Sequence, residues 1–167
     1  MIMVCLIASA AWGQTFQLER QSDSLTLLRL ADSLGCDVWR LPYPTFAFAT
    51  ADVDADGVTD ALVGVVKPTR FDPRPVRRLF AFRNVHGRVR PLWLGSRLCG
   101  QLEDFRAEAD GEVVTLERDA QGAWLVGRYV WDHFGFVLTA ADTVHTTHAI
   151  ADSVFRTQAG KPGISNR

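Results

Sequence analysis

Four aspartates lie within nine residues of this 167-residue chain, in the segment DVDADGVTD at residues 52–60. Carboxylates this close together repel one another unless a cation lies among them. The spacing fits Ca²⁺, a hard ion that takes about six to eight oxygen ligands. The sequence therefore predicts a calcium-binding loop, with Gly57 at its sharp turn. The predicted ligands are the side chains of Asp52, Asp54, Asp56 and Asp60 and the carbonyl oxygen of Val58.

An EF-hand shares the first half of this spacing, but it requires a glutamate at the twelfth position and a helix on each side. The twelfth position here is Val63, and the flanking segments FAFAT and ALVGVV resemble strands. These differences exclude an EF-hand. The alternative that stays open is a solvated turn, in which the aspartates cap local amides without any metal.

Seven segments with a two-residue period predict strands around this loop. Turn-forming pairs such as His86-Gly87 and Asp110-Gly111 separate several of them. The pattern predicts a mainly β fold, with antiparallel sheet of about seven strands arranged like a propeller blade or a small sandwich. The predicted strands are Phe46–Thr50, Ala61–Val66, Arg77–Arg83, Arg88–Leu94, Glu112–Arg118, Ala123–Trp131 and Phe134–Ala140.

The two ends of the chain have different patterns. Leucines at helical spacing between Gln21 and Cys36 predict one short N-terminal helix, and a strand over Leu25–Leu30 is the alternative. Periodicity is weak in residues 142–167, which predicts a weakly ordered tail or a weakly docked helix. The expected organisation is a single β-rich domain over residues 14–141 followed by this tail.

The N-terminal residues MIMVCLIASAA form an apolar run that ends in small residues, which is typical of a secretory signal peptide over residues 1–13. The run is too short to span a bilayer, and a buried first strand is the alternative. Secretion or a periplasmic location would leave Cys36 and Cys99 where thiols oxidise. A disulfide between them is therefore one expectation, and two buried free cysteines are the other.

The segment FAFATADVDADGVTDALVGV, residues 46–65, resembles the FG-GAP or VCBS type of repeat. These repeats occur in the β-propeller blades of integrin α-chains and in many secreted bacterial proteins. The resemblance implies that the four loop aspartates are calcium ligands, while Ala51 and Ala55 occupy positions where the family often has glycine. It covers only this short segment, and the chain is too short for the four blades of a propeller. We therefore expect a compact sheet of its own kind.

Two further segments, Cys36–Pro44 and Arg78–Arg97, are similar to a family of secreted proteins from Bacteroidetes bacteria. This resemblance implies a location outside the cytoplasm. It implies no particular activity.

The charges are distributed unevenly along the chain, although the formal net charge is only -1. Residues 67–98 contain nine basic side chains and one acidic one, whereas the segments on both sides have an acidic excess. Arginine suits anionic ligands, and aromatic residues are interleaved with these arginines. One interpretation is a face that binds an anionic polysaccharide or a protein partner; nucleic acid is not expected, because dedicated polyanion binders usually have a net basic charge. The candidate ligand-binding residues are Arg70, Arg78, Arg88, Arg90 and Trp93.

Internal neutralisation is the competing interpretation of this basic segment. In that interpretation the arginines pair with acidic side chains of the C-terminal strands, and the near-neutral total charge favours it. The acidic candidates are Glu103, Asp104, Glu108, Glu112 and Glu117.

Known catalytic motifs are absent from the sequence. It contains no nucleophile elbow, no paired-cysteine motif, no phosphate-binding glycine loop and no zinc-binding helix signature. The sequence therefore favours a secreted, non-enzymatic binding or accessory module with a structural calcium loop. The alternative is a glycan-active or other hydrolytic enzyme that uses the loop carboxylates.

If residues 1–13 are a signal peptide, a bacterial host that secretes the protein will remove them. Mass spectrometry of the secreted protein should then give a mature chain that begins near Gln14, after cleavage at Ala11 or Gly13. Recovery of the protein with Met1 still attached would contradict the prediction.

Overall fold

The computed structural model describes residues 15–32, 35–70, 72–95 and 98–157. These ranges contain eleven strands and one helix, and they include no helix long and apolar enough to cross a membrane. The predicted signal peptide, residues 1–13, lies outside them. The elements are β1 Thr15–Ser22, β2 Leu25–Asp32, β3 Gly35–Leu41, β4 Thr45–Ala51, β5 Asp60–Lys67, β6 Val76–Val85, β7 Arg88–Leu94, β8 Gln101–Ala107, β9 Val113–Arg118, β10 Trp124–Asp132, β11 Gly135–Thr146 and α1 His148–Thr157.

The strands form three antiparallel sheets. The N-terminal sheet has the order β1-β2-β3, the central sheet β4-β5-β6-β7, and the C-terminal sheet β11-β10-β9-β8. Within each sheet, every strand therefore pairs with its neighbour in sequence. The prediction of a mainly β, antiparallel fold is confirmed, but there are eleven strands where about seven were predicted.

The central sheet is covered on both faces. Strand β6 shows this most clearly, because Phe80 and Phe82 pack against the N-terminal sheet while Leu79 and Ala81 pack towards the C-terminal sheet. All four side chains are at most 3% exposed. A strand buried on both sides is apolar at every position, as β5 and β6 are over most of their length.

All seven predicted strands are present, but the predicted N-terminal helix is wrong. The described residues of this segment, 21–32 and 35–36, contribute instead to the hairpin of β1 and β2 and to the start of β3. In β2, Thr26, Leu28 and Leu30 are fully buried, whereas the residues between them are only half-buried. A leucine-rich run satisfies a helical period and a two-residue period equally well, and pairing with β1 and β3 selects the strand.

Strand β8 was not predicted, and a β-bulge explains why. Leu102 and Phe105 are the buried apolar residues of β8, and they are three positions apart rather than two. The pairing with β9 shifts register between Leu102 and Asp104. The extra residue brings Leu102 and Phe105 to the same face, so the strand lacks a two-residue period in its sequence.

The C-terminal segment is ordered as far as the structure describes it. Strand β11 continues to Thr146, and α1 follows almost at once. Ala151 and Phe155 of this helix are buried against Val114, Leu116 and Val126 of the C-terminal sheet. The helix therefore covers the outer face of that sheet, and residues 158–167 lie outside the described ranges.

We predict that the helix contributes measurably to stability. Phe155→Ala should lower the free energy of unfolding by about 3 kcal/mol, because the ring is only 5% exposed. Ile150→Ala is the matched control on the same helix, since Ile150 is 53% exposed and its loss should cost less than about 0.5 kcal/mol. Urea unfolding followed by tryptophan fluorescence measures both. Equal effects of the two substitutions would show that α1 is not docked.

Candidate metal site

The aspartate loop connects β4 to β5, two neighbouring strands of the central sheet. Ala51 and Asp60 pair across the ladder and close the loop. The backbone then wraps around Asp52, whose Oδ1 accepts a hydrogen bond from the amide of Asp56 at 3.1 Å and whose Oδ2 accepts one from Gly57 at 2.9 Å. These bonds hold the acidic side chains towards one another.

Two residues of the loop have left-handed backbone conformations. Gly57 has φ of 84°, which glycine adopts without strain, in agreement with the turn predicted there. Ala55 has φ of 59°, a conformation that costs a residue with a side chain about 1 kcal/mol or more. The FG-GAP type of repeat often has glycine at the position of Ala55. The loop keeps its tight curvature although it requires a left-handed conformation that alanine disfavours.

Asp60 is the most deeply placed carboxylate of the loop. It begins β5, and the alternation of the strand places it on the same face as Leu62, so that it is 0% exposed. Its Oδ2 accepts a hydrogen bond from the amide of Val53 at 3.1 Å, whereas its buried Oδ1 has no hydrogen-bond partner. Burial raises the pKa of Asp60 to about 7, and the charges of Asp54 and Asp56 add to this effect.

Three of the predicted ligands are close enough to share an ion. One carboxylate oxygen from each of Asp52, Asp54 and Asp60 lies within 4.8 Å of the other two. Burial and, next, the charge of Asp56 raise the pKa of Asp54 above its ordinary value. Mutually repelling carboxylates in a partly dry site gain from a cation. The geometry therefore fits an ion that prefers oxygen ligands.

Asp56 is placed differently from the other three aspartates. Asp56 is exposed, and its Oδ1 accepts a hydrogen bond from the amide of Val58 at 2.8 Å. The carboxylate of Asp56 is not part of the close group of three. Val58 is the donor of this hydrogen bond to Asp56 through its backbone amide. The structure thus brings three of the four predicted carboxylate ligands together.

The loop is attached to the C-terminal sheet as well as to the central one. Val53 is 6% exposed and belongs to the core between these two sheets. Gly111, in the turn between β8 and β9, lies against the backbone of Asp52, and a Cβ atom there would be 2.2 Å from the Asp52 carbonyl oxygen. With φ of 84°, Gly111 also needs the conformational freedom of glycine. In the sequence it was recognisable only as a turn residue.

The five candidate ligand-binding residues do not form one surface. Trp93 is only 8% exposed, and its ring centroid is 5.2 Å from that of Phe136, so it is a core residue. Arg78 shares the face of Phe80, and its Nε donates a hydrogen bond to the Lys67 carbonyl at 3.3 Å. Arg88 and Arg90 are exposed on the opposite face of the central sheet, and Arg70 is exposed in the β5–β6 connection.

One arginine that the sequence did not single out lies beside the loop. Nη1 of Arg83 is 4.0 Å from Oδ2 of Asp54, and the Arg83 side chain is 46% exposed. Arg83 is directly opposite Arg90 in the ladder of β6 and β7. Its place on the same face as Leu79 and Ala81 follows from strand alternation, but its proximity to Asp54 depends on the path of the loop.

Internal charge pairing accounts for part of the basic segment. Nη1 of Arg77 is 3.2 Å from Oε2 of Glu103, and its guanidinium carbon lies 4.9 Å from the centre of the Phe46 ring. Within the described residues this is the one ion pair between the basic segment and the acidic candidates of the C-terminal strands. Glu108 and Glu112 pair instead with arginines of their own sheet.

Glu117 is buried and serves the C-terminal sheet. It is 0% exposed, and its carboxylate accepts hydrogen bonds from the Thr115 hydroxyl and the Gly100 amide. Tyr129 lies beside it and accepts a hydrogen bond from the Cys99 amide at 3.0 Å, and burial raises the pKa of Tyr129. Glu117 therefore ties the start of β8 to β9 and is not a surface partner for arginine.

The predicted disulfide is not formed in the structure, where Cys36 and Cys99 are both free and exposed. Cys36 lies on β3 in the N-terminal sheet and pairs with Ala31. Cys99 precedes β8 of the C-terminal sheet, and its amide bonds to Tyr129. The two cysteines belong to the outer layers, with the central sheet between these layers.

Comparison of the chain with protein-family models, curated proteins and solved structures found no match. Functional conclusions therefore depend on the chemistry of the residues described above.

We predict that ionisation of Asp60 destabilises the calcium-free protein. Its pKa is about 7 in the folded chain against an ordinary 3.8, so the folded state binds the proton more tightly than the unfolded state. The stabilisation is fully present below about pH 4 and is lost as the pH rises through about 7, an effect on the order of 2–4 kcal/mol. Urea unfolding in chelator across this pH range measures it.

Asp60→Asn provides the control for this prediction. Asparagine keeps an oxygen for the Val53 amide but cannot ionise. The variant should lack this component of the pH dependence, while the contributions of the four histidines remain in both proteins. If the free energy of unfolding depends on pH in the same way in both proteins, the pH dependence does not come from Asp60 and the prediction is wrong.

Proposed function

We propose that this protein is a secreted or periplasmic, non-enzymatic binding or accessory module whose loop at residues 52–60 holds a structural calcium ion. The observation that carries the proposal is the unpartnered Oδ1 of Asp60. It is fully buried, and an Asp60 oxygen lies within 4.8 Å of oxygens from Asp52 and Asp54. Burial of an unpaired carboxylate is costly, and a cation among the three side chains removes that cost.

The ligand set favours calcium over transition metals. Every candidate ligand is an oxygen, and neither histidine nor cysteine belongs to the group. Zinc and copper sites use imidazole or thiolate, whereas Ca²⁺ takes carboxylate and carbonyl oxygens in flexible geometry. Asp56 and the Val58 carbonyl remain proposed ligands, because three carboxylates alone leave positions to fill around an ion with six to eight ligands.

The proposed role of the ion is structural. The loop joins β4 to β5, contributes Val53 to the core and contacts the β8–β9 turn at Gly111. An ion bound to Asp52, Asp54 and Asp60 would therefore hold the central sheet, the loop and the C-terminal sheet in one arrangement. It would also offset the strain at Ala55.

Two features support the resemblance to FG-GAP or VCBS repeats. The central and C-terminal sheets are each four consecutive antiparallel strands in chain order, which is the order of a propeller blade. The loop also leads directly into the apolar strand β5, as the Asp-rich loop of these repeats does. We propose that the chain contains blade-like sheets stacked face to face rather than arranged around a channel.

Hydrolysis by the loop carboxylates is the second candidate function. The pKa of Asp60, raised to about 7, is what a general acid needs. However, Asp60 is 0% exposed and cannot reach a substrate. The carboxylates are also closer together than the roughly 5–10 Å at which glycosidases place their two acids. We therefore favour the structural role.

Isothermal titration of the chelator-treated protein with calcium tests the proposal. We expect one binding event with a dissociation constant of roughly 10⁻⁶–10⁻³ M. Calcium at about 100 times that constant should stabilise the fold by about 2.7 kcal/mol and raise the melting temperature by about 5–10 °C. Asp60→Asn should weaken binding about tenfold or more.

Asp152→Asn is the matched control, because Asp152 pairs with Arg156 on α1, far along the chain from the loop. It removes the same charge and should leave calcium affinity unchanged. Wild-type protein that shows neither binding heat nor a shift in melting temperature would exclude the calcium site. An equal loss of calcium affinity in both variants would point to a general effect of the protein's charge.

A further inference from the structure

We infer that Arg83 and Arg90, beside the aspartate loop, bind the carboxylates of an acidic polysaccharide, in which uronic acids repeat along the chain. The inference rests on the proposed calcium loop and adds a class of ligand for the surface beside that loop. It keeps Arg90 from the candidates that the sequence suggested, adds Arg83, which was not among them, and leaves out Arg78, which lies on the other face of the sheet.

The two arginines form a pair next to the loop. They are directly opposite each other in the β6–β7 ladder, and both are exposed. Nη1 of Arg83 is 4.0 Å from Asp54, at the limit of an ion pair. Nη1 of Arg90 donates a hydrogen bond to the Val89 carbonyl at 3.1 Å, and Arg90 forms no ion pair within the described residues.

Like charges directly across a β-ladder are destabilising, so this pair needs a compensating anion. Asp54 is the nearby acid, but its carboxylate belongs to the group of three that would hold the proposed ion. With calcium bound to Asp54, an external carboxylate becomes the natural partner of both guanidinium groups. Arginine binds carboxylate through two parallel hydrogen bonds, which makes the contact specific.

Calcium changes the sign of the local charge. The four loop aspartates, together with Arg83, Arg90 and Arg88 on the same face, carry a net charge of -1 when all are ionised. A divalent ion changes this to +1. Anion binding at the arginine pair should therefore depend on calcium, and calcium can share the carboxylate and hydroxyl oxygens of a uronic acid.

The surface suits an extended polymer better than a folded protein partner. Arg88 and Arg90 alternate along β7 and so project from one face at a regular spacing, which matches a ligand with repeating charges. A stable protein interface needs an apolar centre. The exposed large apolar residue of β6 and β7 is Leu94, which follows the inward Trp93 and therefore lies on the opposite face.

The test is isothermal titration of the calcium-saturated protein with trigalacturonate, which is too short to form calcium gels. We expect binding that weakens about fivefold or more when calcium is chelated. The double variant Arg83→Gln, Arg90→Gln should lose about tenfold in affinity for the trisaccharide. It should keep the calcium affinity of the wild type. Arg156→Gln, an exposed arginine on α1, is the control and should bind like the wild type.

The outcomes separate this inference from the proposed function. Calcium binding without trigalacturonate binding refutes the inference alone, as does an undiminished affinity of the double variant. Binding of neutral galactotriose with the same affinity would show that the carboxylates are not recognised. Tighter binding of a peptide of repeated glutamate would assign the surface to a protein partner. Either result overturns the inference. Absence of calcium binding refutes the proposed function itself.

Discussion

The central sheet must bury both of its faces, and the rest of the structure depends on this constraint. Residues 60–64 of β5 are all buried, so an exposed face on either side would leave apolar surface in water. The N-terminal hairpin strands cover one face and the C-terminal sheet covers the other. Because Asp60 is the first residue of β5, the same burial carries a carboxylate into the core, where an unpaired oxygen favours a cation.

The aspartate loop lies where two of the three layers, the central and the C-terminal sheets, meet. Val53 anchors it in the core between two sheets, Gly111 of the β8–β9 turn touches its backbone, and Arg83 of β6 lies against Asp54. An ion in the loop would act on all three contacts at once. Such an ion would couple the electrostatics of the surface arginines to the stability of the fold through the same few carboxylates, an arrangement that a total charge of -1 conceals.

Sequence patterns predicted the parts of the fold that depend on neighbouring residues. The seven regular strands and the glycine turns between them, such as His86-Gly87, are present. The failures have local causes: the leucines of β2 fit two periods, and the bulge in β8 removes its alternation. The docking of α1 depends on the outer face of the C-terminal sheet, which residues 142–157 do not reveal by themselves.

By itself, the sequence determined the β-rich class, the position of the loop and the identity of its carboxylates, because each follows from residue type and spacing over a few positions. Tertiary structure alone decided that Asp60 is buried with one unpartnered oxygen, that Trp93 is a core residue, and that Arg83 adjoins Asp54. These properties arise where layers distant in sequence pack together. Desolvation and charge proximity are set by that packing, and no local pattern encodes them.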